Sequence, residues 1–238
     1  MKMAKISTGS QDFDEFLSGG YEDDIITTLY GPAGSGKSNL CMIAAVEQAR
    51  KGKKVIFIDT EGGFSVDRLR QLGEETVMKN ILLLKATNFN EQREVFNKLL
   101  DEMKKGIGLI VVDSIAMLYR LEVGNARGEG NESKVNSINR CLAWQLKVLS
   151  EIVRKKNIPV IVTNQVYSDF VKDPSVEEKK VHMVGVDLLK YWSKCIIELK
   201  KEKEKRRAIL RKHRSLPEKE LVFHITDKGI SKAGFRLF

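Results

Sequence analysis

Five short apolar runs, Ile25 to Tyr30, Lys54 to Asp59, Asn80 to Leu84, Leu109 to Asp113 and Ile158 to Thr163, suit buried strands. Helical patterns fill the gaps between them. From Glu91 onward Val95, Phe96, Leu99, Leu100 and Met103 recur at helical spacing, and Val135, Ile138, Leu142, Leu146, Leu149 and Val153 do so over a longer stretch. This alternation predicts an α/β fold with a mainly parallel central sheet and helices on both faces. Pro159 falls at a strand start, where its missing N–H does least harm. After about residue 193 the pattern changes. Lys194 to Lys200, Arg206 to His213 and Glu220 to Thr226 read as three strands joined by short charged connections with no room for helices, an antiparallel extension of the same sheet. No linker rich in Pro, Gly or Ser intervenes, so residues 1–238 are expected to form one domain, with 194–230 as its C-terminal β extension. Two polar stretches, Glu122 to Asn131 with Gly124, Gly128 and Gly130, and Tyr167 to Met183, are expected to be loops, and long loops tend to carry function.

Composition narrows the class without naming a function. Of the 238 residues 42% are hydrophobic and 31% charged, and only four are proline, which excludes collagen-like, disordered and disulfide-scaffold chains. Cys41, Cys141 and Cys195 are too few and scattered for a disulfide framework and imply a reducing compartment. The first residues reach Ser7, Gly9 and Gln11 without an apolar core of signal-peptide length, and no run of about 18 apolar residues occurs. The expected location is the cytoplasm, with no membrane partner. His182, His213 and His224 lack metal-ligand spacing.

Specific chemistry enters at residues 31 to 38. Gly31, Pro32, Ala33, Gly34, Ser35, Gly36, Lys37 and Ser38 fit the pattern G-x-x-x-x-G-K-[ST] and lie between a predicted strand and the helical run that Asn39 opens. The glycines let successive N–H groups turn toward phosphate oxygens while the helix presents its positive end. Lys37 is expected to reach the β and γ phosphates and Ser38 to hold Mg²⁺. Asp113 ends the apolar strand Leu109 to Asp113, the place for a second acid that orients the metal. Asp59, Thr60 and Glu61 end another strand beside Gly62 and Gly63, and hydrolysis needs a carboxylate there to orient water, for which Glu61 is the candidate. Gln165, in Thr163-Asn164-Gln165, can donate to a γ-phosphate oxygen.

Taken together these residues resemble the recombinase cores of the RecA family, on the archaeal RadA side. The resemblance runs from about Ile6 to Ile230. It is carried by Ile6 to Ser10, Gly19-Gly20, the phosphate loop, Asp59-Thr60-Glu61-Gly62, Val112-Asp113-Ser114, Thr163 to Val166, Leu216-Pro217-Glu218 and Ile225 to Ile230. It implies a RecA-like P-loop core binding ATP and Mg²⁺, with Glu61 polarising water, Gln165 sensing the γ-phosphate and Arg68 lying over the adenine; Arg68 reads equally well as a surface helix arginine.

The departures from the recombinase pattern bear on function. Only five residues precede Ile6, where the recombinases carry a helical DNA-binding domain and a polymerisation segment. Val184-Gly185-Val186-Asp187 and Tyr191 stand where the pattern has a glycine pair and a histidine, the stretch 167–183 carries three lysines against four acids, and Arg214 occupies the place of a proline that caps a neighbouring subunit's ATP. This is the expectation for a short paralogue: an accessory protein of recombination and repair that binds ATP and DNA, hydrolyses ATP very weakly, does not drive strand exchange, and modulates the RadA recombinase and a branched-DNA nuclease. The rivals are a filament-forming recombinase, a nucleotide-gated interaction module, and a small-molecule kinase or GTPase, the last lacking a guanine-reading Asn-Lys-x-Asp.

The formal net charge is +9, and it is unevenly spread. Residues 200 to 214 hold nine Lys and Arg against Glu202 and Glu204, which leaves +7 in one block, expected on a hairpin at the end of the sheet. Lys205, Arg206, Arg207, Arg211 and Lys212 are the candidate DNA contacts, through phosphates and without base specificity. Lysine-rich edge strands that only prevent edge pairing look the same in sequence. Arg127, between Gly124 and Gly128, is a competing DNA contact.

Overall fold

The computed structural model describes residues 4–101, 103, 106–168, 181–183 and 186–234. The strands are β1 (Lys5–Ile6), β2 (Tyr21–Glu22), β3 (Ile26–Gly31), β4 (Lys54–Asp59), β5 (Ile81–Lys85), β6 (Ile107–Asp113), β7 (Val160–Ser168), β8 (Val181–Met183), β9 (Cys195–Glu202), β10 (Lys205–His213), β11 (Glu220–Thr226) and β12 (Gly229–Lys232). The helices are α1 (Gln11–Phe16), α2 (Lys37–Arg50), α3 (Val66–Leu72), α4 (Glu75–Met78), α5 (Phe89–Asp101), α6 (Met117–Gly128), α7 (Glu132–Lys156) and α8 (Val186–Trp192).

One ten-stranded sheet runs in the order β12-β11-β10-β9-β3-β7-β6-β4-β5, with β8 added to β7. From β9 through β5 all neighbours along that order are parallel; from β9 outward to β12 they are antiparallel. Four of the five apolar runs form central strands because both their faces are covered; the fifth, β5, is the edge strand and is only partly buried, with Leu82 exposed. On β4, Ile56 and Ile58 join the core beneath α5, α6 and α7, whereas Val55 and Phe57 join the one beneath α1, α2 and α3. On β6, Ile110 and Val112 divide from Leu109 and Val111 in the same way. Strands buried on both sides read as continuous apolar runs, which is why they are visible in sequence.

Three expectations change. Residues 122–131 are not a loop, since α6 runs through Gly124 to Gly128. Leu118, Val123 and Ala126 are buried against its neighbours, and Lys134 of α7 bridges Glu122 and Glu129, so packing overrides the weak helix propensity of glycine. The basic hairpin does not end the sheet either. Both β9 and β10 are paired on each side, their outer neighbours being β3 and β11 respectively, so the lysines there guard no edge. Strand β7 extends past Thr163 to Ser168, its polar outer half having hidden it. Of the expected loop 167–183, residues 169–180, with Lys172, Lys179 and Lys180, lie outside the described residues, as does the Val184-Gly185 pair.

Candidate functional site

The phosphate loop follows the carboxyl end of β3, in the middle of the sheet, where open α/β sheets place ligands. Gly31 is forced by a close approach, since a Cβ there would stand 2.2 Å from the Leu199 carbonyl oxygen of β9. Gly36 caps α2 at φ 101°, a left-handed conformation that side chains rarely take. No side chain caps α2 and no acid occupies its first turn, so its N–H groups and positive end stay open to an anion. Pro32, Ala33 and Gly34 form the exposed crest, while Ser35 and Lys37 are buried. Lys37 Nζ donates to the carbonyls of Gly31 at 2.9 Å and Pro32 at 3.0 Å. Burial pushes its pKa down, opposed by the charges of Glu61 and Asp113.

Register assembles the rest. Asp59 stands beside Asp113 across β4 and β6, and Gln165 beside Gly31 across β7 and β3. Asp113 is fully buried, and the Thr163 hydroxyl donates to its Oδ1 at 2.5 Å. Burial raises its pKa, offset in part by the neighbouring Ser38 and Thr163 hydroxyls. Glu61 is half-buried and its pKa is raised, first by burial and then by the charge of Asp113. Asp59 plays a different part. Its carboxylate accepts N–H bonds from Glu61, Gly62, Gly63 and Phe64 and so shapes the loop that presents Glu61.

A nucleotide with its metal fits these residues. Ser35 Oγ, Glu61 Oε1 and Asp113 Oδ2 are buried without a hydrogen-bond partner, an arrangement that is costly unless something else supplies one. A Cβ on Gly63 would lie 3.4 Å from Ser38 Oγ and 3.8 Å from Asp113 Oδ2, so both oxygens face the same gap. A hydroxyl and a carboxylate there, beside an open helix terminus, suit a hard oxygen-seeking cation such as Mg²⁺ and the phosphates it accompanies.

Arg68 is fully engaged. Its guanidinium donates to Asn39 Oδ1 at 3.1 Å, Gln71 Oε1 at 2.8 Å and the carbonyls of Thr226 at 2.7 Å and Asp227 at 2.9 Å, pinning the β11–β12 turn to α2 and α3. Its N–H edge is thus committed within the chain.

The basic block is not one surface. Arg207 pairs with Glu202 and Glu220, and Arg211 with Glu198 and Glu218. Arg214 pairs with Glu22 and Asp24, strapping the end of β10 to the segment before β3. Arg206 turns inward, its Nε donating to the Gly34 carbonyl at 3.0 Å, and Lys201 Nζ lies 3.7 Å from where a Gly34 Cβ would be, so the hairpin tip touches the phosphate loop. Lys203 and Lys205, at the tip, make no ion pair with any described residue, and Lys212 donates to the Lys190 carbonyl. Arg127 is exposed near the end of α6, in the α5–α7 layer and apart from the hairpin. Sequence reasoning missed the roles of Thr163 and Asp59 and the Arg206 contact. Thr163 could have been found, since it opens the motif that carries Gln165, whereas nothing in the sequence pairs Arg206 with a loop 172 residues away.

Fold and site define a RecA-like P-loop core. The Rad51 family model matches residues 1–233, and the chain belongs to that family. It is 38% identical over 235 residues to the DNA repair and recombination protein RadB of Methanobrevibacter smithii, with 95% of each chain covered. It is 40% identical over 237 residues to the RadB protein of Methanoculleus marisnigri, covering 97% of this chain and 99% of that one. A crystal structure of the RadB recombinase superposes with a TM-score of 0.76 at 36% identity, over 96% of this chain and 99% of that one.

Proposed function

We propose that the chain is an accessory protein of homologous recombination and DNA repair that binds ATP with Mg²⁺ at the α2 cradle and DNA through its C-terminal hairpin. It turns ATP over very slowly and drives no strand exchange; its partners are the RadA recombinase and a nuclease acting on branched DNA. The observation that carries the reading is the convergence of Lys37, Ser38, Asp113 and Glu61 beneath one loop, with three buried oxygens lacking partners. Lys37 exchanges its two carbonyl acceptors for phosphate oxygens, Ser38 and Asp113 hold the cation, and Thr163 keeps Asp113 oriented. Mg²⁺, when bound, neutralises charge on the phosphates. Glu61 receives the proton of an attacking water, and burial together with the charge of Asp113 raises its pKa above the ordinary carboxylate value.

Slow turnover follows from what surrounds the cradle. Arg214, at the position where the recombinase pattern places an ATP-capping proline for the next subunit, is held by Glu22 and Asp24 of its own chain. The test pairs ATP turnover with DNA binding on the parent and Lys37→Ala at two salt concentrations. Slow turnover, lost in the variant, with salt-sensitive DNA binding supports the reading. Fast, DNA-stimulated turnover together with large ATP-dependent assemblies on single-stranded DNA contradicts it.

A further inference from the structure

At the opposite end of β3 from the phosphate loop, α8 delivers an aromatic side chain to the surface. Tyr191 is 70% exposed, the most exposed of the large apolar side chains among the described residues. Its ring stands perpendicular to that of Trp192, centroids 5.2 Å apart, and Trp192 packs against the core and fixes the pair. Lys194 Nζ donates to the Tyr191 carbonyl at 3.2 Å and sits 5.9 Å from the centre of its ring. Lys212, from the far end of β10, reaches across to the Lys190 carbonyl at 2.5 Å. Burial, and then repulsion from nearby Lys194, push the pKa of Lys212 down. Neither makes an ion pair among the described residues, unlike Arg207 and Arg211 on β10 and Arg214 just after it.

A pair of cations with no ion-pair partner among the described residues, beside an exposed ring held on a rigid support, has an evident chemical complement, an anion carrying a flat π surface. We propose that Tyr191, Lys194 and Lys212 form a stacking platform for single-stranded nucleic acid: a base lies on the Tyr191 ring and the lysines take the flanking phosphates. A duplex, whose bases already stack on each other, engages only the lysines. The proposal rests on the DNA-binding reading above but separates this patch from the hairpin tip at the other end of the sheet.

The test measures binding of a labelled oligo(dT) strand, an abasic strand of equal length and a duplex to the parent and to Tyr191→Ala, Tyr191→Phe and Lys194→Gln/Lys212→Gln. Tyr191→Ala is expected to weaken oligo(dT) about tenfold while leaving the abasic strand and the duplex as in the parent, and Tyr191→Phe to restore binding. The double lysine variant should reduce the single-strand salt slope by about 1.4, at about 0.7 per phosphate contact. If the parent binds oligo(dT) and Tyr191→Ala binds it equally well, or loses all three ligands alike, the platform is overturned while DNA binding itself stands. If the parent binds no nucleic acid, the functional reading falls as well.

Discussion

The phosphate cradle and the basic hairpin meet at Gly34, yet they are built on opposite principles. In the cradle each residue type is dictated by what it must touch: Gly31 by the Leu199 carbonyl, Gly36 by its backbone angle, Asp113 by the Thr163 hydroxyl. In the hairpin the residue type says little, because neighbouring arginines have different fates. Arg206 bonds the loop, Arg207 is neutralised between Glu202 and Glu220, and Lys203 and Lys205 remain unpaired among the described residues. What a residue touches in the first region can therefore be read from identity and spacing, and in the second only from the structure.

The sharpest way to break this contrast is at Lys37. Lys37→Ala should lower ATP affinity at least a hundredfold by calorimetry and abolish turnover, with the fold and the duplex-DNA salt slope unchanged. Unchanged ATP affinity would mean that the cradle does not hold the phosphates. Next is Glu61→Gln, expected to cut turnover about a hundredfold while sparing ATP binding. The same change should stabilise the nucleotide-free protein. A carboxyl whose folded pKa is raised keeps its proton longer in the folded state, so stability falls as pH rises from the ordinary value of 4.5 through the raised one. Above that raised pKa the loss is complete, and removing the charge should raise Tm. An unchanged or lower Tm would show that Glu61 is not strained by its surroundings.

Those two experiments concern the part of the molecule that its sequence disclosed well. Strands buried on both faces by α2 and α7 show as unbroken apolar runs, and β4 spans the expected residues. The phosphate loop and Asp113 stand at strand ends and Glu61 just past one, as the apolar runs place them. What stayed hidden has a physical cause in each case. Helix α6 contains two glycines and owes its existence to packing on α7, which no local pattern records. The outer half of β7 breaks the apolar run with Asn164 and Gln165, although Asn164 and Val166 are still buried. The ion pairs of Arg207, Arg211 and Arg214 join residues brought together by strand register, so a charge count overestimates the free positive surface. Asp59, which resembles a second catalytic acid in sequence, spends its carboxylate on four backbone N–H groups.

A smaller effect probes how the cradle is supported. Thr163→Val deletes the hydroxyl that orients Asp113 and should raise the Mg²⁺ concentration needed for ATP binding about tenfold, with little change in the metal-independent component. An unaltered Mg²⁺ requirement would leave Thr163 a packing residue only. On the hairpin, Arg207→Gln with Arg211→Gln should change stability little in a thermal melt, since these are exposed pairs, and a large drop in Tm would show that they brace the hairpin.

The most direct test of the contrast compares that last variant with Lys203→Gln/Lys205→Gln, which removes the same charge. Duplex-DNA affinity is measured for both from low to high salt, and the slope counts phosphates contacted. The lysine variant is expected to lose up to about 0.9 of slope for each lysine removed, while the arginine variant keeps the parent slope, because its guanidinium groups already serve carboxylates. Equal losses of slope in the two variants would contradict this, showing that the hairpin binds DNA by its total charge and that the ion pairs open to do so.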